Sequence, residues 1–200
     1  MKKSQLILAI TGLFLTLQNS YAQADKYEIE PNHTSVVWIA DHLGFSKSSG
    51  KFNKIEGFIL FDEKAPQNSS TEITINTKGI VTGIDKFDEH LKGKDFFDVK
   101  NFPVAKFVSK KIVITSKNKG KITGELTILG VTKSITLDAT FNKSDVNPIN
   151  QKPTLGFSAT ASLNRSDFGI KYALPGVPDK VNLLIEVEAN KNPAQEKKSS

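Results

Sequence analysis

Residues 121–141 read KITGELTILGVTKSITLDATF and contain two runs of alternating apolar and polar residues. A period of two is typical of β-strands with one covered face, because successive side chains point to opposite sides of a strand. The residues between the two runs, Gly130 to Lys133, provide a short turn. The segment is therefore predicted to be a β-hairpin, the clearest one in the chain.

The same kind of pattern recurs on both sides of this hairpin. Further strands are predicted at residues 35–41, 57–62, 71–77, 106–114, 156–163 and 181–188. The alternation slips near Lys110 and Lys111, which indicates a β-bulge. The predicted set is therefore about eight strands with turn residues between them.

A short helical segment near residues 85–98 interrupts the β pattern. Phe87, His90 and Leu91 have the spacing i, i+3, i+4, which places them on one face of a helix. Asp85 is predicted to cap this helix, and Gly93 is predicted to end it.

The predicted fold class is all-β, a single domain built as an extended eight-stranded antiparallel barrel with this short helical segment. Closing a sheet on itself removes its exposed edges. A two-sheet sandwich is the competing architecture. The choice has a functional consequence, because an eight-stranded barrel is either filled by its own side chains or wide enough for one ligand.

The N-terminal region has the features of an export signal. Lys2 and Lys3 precede the uncharged run 6–17, and small residues lead to a predicted cleavage after Ala22, with Ala24 as the alternative. The run is shorter than the roughly 20 apolar residues that span a bilayer, which disfavours a retained anchor. We expect a cleaved signal peptide at 1–22, a periplasmic or secreted domain at 25–190 without a transmembrane segment, and a flexible basic tail at 191–200.

Several function classes lack their usual signatures in this sequence. It contains no cysteine, no Gly-x-Ser-x-Gly motif and no nucleotide-binding glycine motif, so neither an enzyme nor a cofactor is expected. The three histidines do not have the spacing of a metal site, and no metal is expected. The net charge of +6 comes with no basic groove interleaved with aromatic residues, so no nucleic-acid partner is expected.

A series of local motifs across residues 27–190 resembles the YceI-like family of exported lipid-binding proteins. The motifs are His33-Thr34-Ser35-Val36, His42-Leu43-Gly44-Phe45, Gly50-Lys51-Phe52, Asp88-Glu89-His90-Leu91, Asp95 to Val99, Phe102-Pro103, Gly124 to Lys133, Asn164 to Gly169 and Val181 to Glu188. The resemblance implies a lipocalin-like barrel whose hydrophobic pore takes a long prenyl or acyl chain. A basic residue commonly precedes the Asp-x-His-Leu element in that family, and Phe87 stands there in this chain.

Because the resemblance implies a ligand-binding pore, the side chains that alternate toward the barrel interior are predicted to contact the ligand. The predicted ligand-binding residues are Val36, Trp38, Ala40, His42, Phe45, Phe52, Phe87, His90, Leu91, Phe96, Phe97, Phe107, Leu126, Ile128, Phe157, Arg165 and Phe168.

Several of the predicted side chains have alternative interpretations. Phe61 and Phe141 are expected to belong to a packed core, and Phe96-Phe97 either plugs one end of the barrel or lines the mouth of a pore. Arg165 either pairs with a carboxylate such as Asp167 or Asp95, or attracts an anionic headgroup.

The predicted function is that of a non-enzymatic protein that holds a polyisoprenoid, a quinone tail or a fatty-acyl lipid for transport, storage or sequestration. Its partner is a long-chain apolar or amphiphilic molecule, and a homodimer is left open. Two alternatives remain at this stage. One is a stress or surface interaction protein with a filled barrel, and the other is an enzyme that acts on a lipid headgroup with His42 or His90.

Overall fold

The computed structural model describes residues 24–192, which form eleven strands, one α-helix and three short 3-10 helices. The strands are β1 (Asp25–Ile29), β2 (Ser35–His42), β3 (Ser46–Phe52), β4 (Ile55–Phe61), β5 (Ser70–Asn76), β6 (Ile80–Val81), β7 (Val104–Ser116), β8 (Lys119–Ile128), β9 (Val131–Val146), β10 (Pro153–Asn164) and β11 (Lys180–Lys191). The helix α1 spans Asp85–Lys92, and the 3-10 turns span Pro66–Asn68, Thr77–Gly79 and Arg165–Phe168.

The strands form one closed antiparallel barrel. Neighbouring strands follow the order β1-β4-β5-β7-β8-β9-β10-β11, and β11 pairs back with β1. Three more strands extend this ring, because the first half of β11 pairs with β2, β2 pairs with β3, and β3 pairs with β6. The all-β barrel predicted from the sequence is confirmed, and the two-sheet sandwich is not what the chain adopts.

The difference between eight predicted and eleven observed strands has a simple geometric origin. β1 and β2 lie one after the other along β11, separated by the connection 30–34. In the same way, β4 follows β3 after a brief interruption, and β6 follows β5 after another. The sequence pattern misses β3 because its segment, SKSSGKF, is rich in small polar residues and is held as a strand by its pairing with β2. The bulge predicted at the double lysine is confirmed by a register shift between Ser109 and Lys111.

Helix α1 lies where the spacing of its apolar residues predicts it, but its start differs from the prediction. Asp85 is the first helical residue, and Ile84 occupies the cap position without a side-chain hydrogen bond. The carboxylate that organises this turn is that of Asp88, which accepts hydrogen bonds from the Thr82 backbone N–H at 2.7 Å and the Thr82 hydroxyl at 2.6 Å. These hydrogen bonds lower the pKa of Asp88 below its ordinary value. Gly93 ends the helix as predicted, and its N–H donates to the His90 carbonyl.

Apolar side chains fill parts of the barrel interior in three clusters rather than one continuous core. One surrounds Ile55, Leu155 and Ala189, a second surrounds Trp38 and its neighbours below helix α1, and a third surrounds Phe168 and its neighbours on β7, β8 and β9. The spaces between these clusters are where the candidate site lies.

The terminal predictions fall largely outside the described part of the chain. The predicted signal peptide, 1–22, lies there, as do residues 193–200 of the predicted tail. Lys191, the first residue of that predicted tail, is the last residue of β11 and forms an ion pair with Asp25. Between residues 24 and 192, no helix has the length and apolar character needed to cross a bilayer.

Gly57 is a position where β4 depends on the absence of a side chain. Its φ of +140° is a conformation that other residues rarely adopt, and a Cβ there would overlap the carbonyl oxygen of Glu72 on β5. We expect Gly57→Ala to lower the free energy of unfolding by about 1–3 kcal/mol from backbone strain, with the overlap adding to this. Urea denaturation measures the change. Gly156→Ala is the matched control, because a Cβ at Gly156 meets only ordinary contacts at 3.7 Å or more, and an equal loss in both variants would contradict the prediction.

Candidate functional site

Two apolar cavities lie one after the other inside the barrel. The first has a volume of about 330 Å³ and extends toward the β4–β5 connection and the β7–β8 hairpin. The second has a volume of about 350 Å³ and extends toward helix α1 and the connection between β10 and β11. Four side chains line both cavities, and we call them the waist of the pore: Val36, Ile75, Leu126 and Leu183.

Aliphatic and aromatic side chains form nearly all of the first cavity's wall. Phe61, Phe141 and Phe157 form a cluster there, with ring centroids 5.3 to 6.0 Å apart. Phe61 and Phe141 pack against the core cluster around Ile55 and Leu155, as expected, and they also line the cavity. The charged side chains of this cavity are exposed and lie at its outer end: Glu63 and Lys117 in connections, and Lys119 at the start of β8.

The second cavity lies between the barrel wall and the segment that contains helix α1. Phe87 contacts Trp38 edge to face at 6.1 Å, and Phe97 contacts Phe52 edge to face at 5.3 Å. Phe96 also lines this cavity. The Phe96-Phe97 pair therefore packs against the barrel interior and at the same time forms part of the pore wall at this end.

Polar side chains gather at the outer end of the second cavity. His42 ends strand β2 and is exposed, and its side chain contributes to the cavity wall. The His90 ring lies 3.1 Å (Nε2 to Oδ2) from Asp95 and contacts the rings of Phe96 and Tyr172 edge to face. This end of the pore is therefore amphipathic, whereas its interior is apolar.

Arg165 lies at this end of the pore, where its side chain contacts the backbone of the connection between β10 and β11. It is buried, and its guanidinium donates to the carbonyls of Ile170 at 3.2 Å, Val177 at 2.9 Å and Pro178 at 3.1 Å. Burial lowers the pKa of Arg165, and the charge of Asp179 opposes that shift.

The carboxylate partner of Arg165 suggested by the sequence is not the one observed. The partners foreseen were Asp167 and Asp95, but the carboxylate that acts on Arg165 electrostatically is that of Asp179. Asp179 itself accepts hydrogen bonds from the Ser166 N–H and hydroxyl, which lower its pKa. Arg165 thus holds the connection 169–179 against the end of β10.

Among residues 24–192, one group of side chains has ligand atoms close enough to one another for a metal ion: Glu30, His33 and Glu188. Glu30 and His33 belong to the connection between β1 and β2, Glu188 belongs to β11, and none of the three side chains lines either cavity. Burial raises the pKa of Glu30, but hydrogen bonds from Asn32 and His33 outweigh this and lower it overall. The Glu30 carboxylate already accepts four hydrogen bonds from Asn32 and His33. We therefore interpret the group as one that stabilises the connection between β1 and β2.

Comparison with known proteins places this geometry in a family. The YceI-like domain matches residues 27–189, which is most of the chain. The chain belongs to the YceI-like family. A UPF0312 protein of Pseudomonas putida strain W619 is 35% identical over 192 residues, covering 96% of this chain and 98% of the relative.

Solved structures share the YceI-like barrel. The Campylobacter jejuni YCEI protein is 35% identical, with a TM-score of 0.69, covering 76% of this chain and 90% of that one. Burkholderia cenocepacia BcnA has a TM-score of 0.72 at 25% identity, covering 80% of this chain and 99% of that one. A polyisoprenoid binding domain from Saccharophagus degradans has a TM-score of 0.63 over 83% of this chain and 98% of its own, and at 10% identity it shares the fold alone.

The YceI-like barrel brings together all but one of the side chains predicted to bind a ligand. Those that line the first cavity are Val36, Phe107, Leu126 and Phe157. Those that line the second are Val36, Trp38, Ala40, His42, Phe52, Phe87, His90, Leu91, Phe96, Phe97, Leu126, Ile128, Arg165 and Phe168.

Phe45 is the exception and corrects the prediction. Its ring is 90% exposed and lines neither cavity. The physical reason is that β2 ends at His42, and the following turn has positive φ at Leu43 and Gly44, so the inward alternation of the strand does not continue to Phe45.

The sequence interpretation missed much of the first cavity of the YceI-like pore and one wall of the second. The missed isoleucine, leucine and valine residues of the first cavity are Ile55, Ile59, Ile73, Ile75, Ile112, Ile114, Ile122, Ile135, Leu137, Leu183, Ile185 and Val187. Continuing the period of two along β7, β8, β9 and β11 would have found most of them. Tyr172 and Val177 line the second cavity from an irregular connection, where no periodic pattern indicates the direction of a side chain.

Proposed function

We propose that this YceI-like protein binds one long-chain amphiphile along the barrel axis, without catalysing a reaction, and carries, stores or sequesters it in the periplasm or outside the cell. A polyisoprenoid, a quinone tail and a fatty-acyl lipid are the ligand classes that fit. The observation that carries the proposal is the pair of apolar cavities that meet at the waist. A barrel filled by its own side chains, the structural alternative, does not agree with these cavities.

The energetics of such a pore favour a long apolar chain. Each methylene moved from water into an apolar environment contributes about 0.8 kcal/mol. A chain of roughly fifteen carbons therefore provides about 12 kcal/mol before the costs of ordering and association. This is enough for tight binding without an ion pair to the headgroup.

The polar groups of the second cavity are consistent with binding rather than turnover. His90 faces Asp95, and the Arg165 guanidinium donates hydrogen bonds to three backbone carbonyls. Both therefore have structural partners within the fold. The amphipathic outer end suits the headgroup of an amphiphile whose tail lies further inside.

Native mass spectrometry of the protein exported by its own host, followed by lipid extraction, tests the proposal. We expect an adduct that survives gentle purification and disappears on denaturation, and an extract that contains a long-chain lipid. N-terminal sequencing of the same sample tests export, with Gln23 or Asp25 expected as the first residue. Protein found only at its apo mass, with no uptake of added prenyl or acyl probes, would refute the binding function.

A further inference from the structure

The turn between β2 and β3 presents two apolar side chains to solvent through a well-defined backbone. Phe45 is 90% exposed and Leu43 is 51% exposed. The Gly44 N–H donates to the Asp41 carboxylate at 2.7 Å, and the Phe45 N–H donates to the His42 carbonyl at 3.0 Å. The exposure of Phe45 is therefore produced by a hydrogen-bonded turn that directs the ring outward.

This turn lies beside the β10–β11 connection at the outer end of the second cavity, because Leu43 is next to Gly176. Ile84, at the start of helix α1, is 62% exposed, and Tyr172, in the β10–β11 connection, is 49% exposed. Tyr172 contacts His90 of the helix, and its side chain lines the cavity. We call Leu43, Phe45, Ile84 and Tyr172 the mouth surface.

Two exposed lysines flank the apolar side chains of the mouth surface. Lys47 follows Phe45 by two residues and Lys171 precedes Tyr172, and both are exposed. Neither forms an ion pair with any residue of the described range 24–192, and Lys47 lies opposite Asp41 in the β2–β3 strand pair. Lys86, near Ile84, is balanced by its neighbour Asp85.

Acidic side chains at the same end keep their charge but are held by contacts within the protein. Asp41 accepts from the Gly44 N–H, Asp88 accepts from Thr82, Glu89 pairs with Lys92, and Asp95 contacts His90. Exposed lysines next to exposed aromatic and aliphatic side chains are the composition that binds the interface of an anionic bilayer.

We propose that the mouth surface docks on an anionic phospholipid bilayer, with Phe45 and Leu43 inserted among the acyl chains and Lys47 and Lys171 at the headgroups. The proposal rests on the proposed function, because it places the amphipathic end of the pore against the membrane that supplies or receives the amphiphile.

Co-sedimentation with vesicles tests this docking. The full protein is expected to bind vesicles of equal parts phosphatidylglycerol and phosphatidylcholine, and to bind pure phosphatidylcholine more weakly. Phe45→Ser is expected to reduce binding to the anionic vesicles by about tenfold or more, because a buried phenylalanine is lost from the interface. Lys47→Gln is expected to reduce it by about fivefold.

Matched controls lie at the opposite end of the barrel. Ile149, in the β9–β10 turn, is 92% exposed, and Lys152 is exposed beside it. Ile149→Ser and Lys152→Gln are expected to bind vesicles like the unaltered protein. Equal losses in the Phe45 and Ile149 variants, or no vesicle binding by the unaltered protein, would overturn the proposal.

Two further measurements separate the remaining explanations. Analytical ultracentrifugation of Phe45→Ser is expected to match the unaltered protein, and a shift from dimer to monomer with unchanged vesicle binding would assign the mouth surface to a second copy of the chain. Native mass spectrometry is expected to show the same lipid adduct in Phe45→Ser, because Phe45 lies outside the pore. Vesicle binding without any adduct would refute the proposed function and leave the docking intact.

Discussion

Val36→Trp is expected to divide the pore at its waist and to abolish tight binding of long chains. Val36 lines both cavities and lies opposite Ile185 and Phe52 on the neighbouring strands. An indole at this position occupies the passage between the two cavities, so that a ligand retains only the part of its tail that fits on one side. Loss of seven or eight buried methylenes corresponds to about 6 kcal/mol. That is a loss of affinity of roughly ten-thousand-fold.

Native mass spectrometry with added prenyl or acyl probes of graded length measures this effect. Short probes are expected to bind the variant and the unaltered protein alike, whereas long probes bind only the unaltered protein. Val37→Trp is the matched control, because Val37 is adjacent on the same strand but lines neither cavity. Undiminished binding of long probes by Val36→Trp would show that the ligand does not pass the waist.

Arg165→Met is expected to lower the free energy of unfolding by about 3–5 kcal/mol, the cost typical of removing one partner from a buried charged network. The substitution removes the donor from three backbone carbonyls, those of Ile170, Val177 and Pro178. It leaves Asp179 without the charge that faces it. Urea denaturation measures the loss, and hydrogen exchange is expected to show it as faster opening of residues 169–179.

The same variant distinguishes the two roles that the sequence left open for Arg165. A headgroup-binding arginine would lose lipid affinity with little change in stability, whereas the observed contacts predict a loss of stability first. Arg165→Lys keeps the charge but lacks the planar group that reaches three carbonyls. An intermediate stability is therefore expected for it, and a stability equal to that of the unaltered protein would contradict the structural role.

Regular strands were predictable because their pattern reports directly on their geometry. The alternation in 121–141 places Leu126 inside the barrel, and the spacing of Phe87 and Leu91 places both on the inner face of α1. Prediction failed where the backbone leaves these repeats. Phe45 lies beyond the end of β2, and the partners of Arg165 are carbonyls of an irregular connection. No period relates side-chain direction to sequence position in such segments.

The amino-acid sequence by itself determined the strands, because a period of two assigns each strand an inner and an outer face; the pairing of β11 with β1 decided for a closed barrel over a sandwich. The sequence also contained the motifs that the YceI-like family shares. Only the tertiary structure decided that the barrel is hollow, that its two cavities meet at the waist, and that Phe45 faces solvent beside the mouth. The reason is that the free volume inside a barrel depends on how side chains from strands distant in the sequence together fill a space of fixed diameter. The pattern within one strand does not report how completely that space is filled.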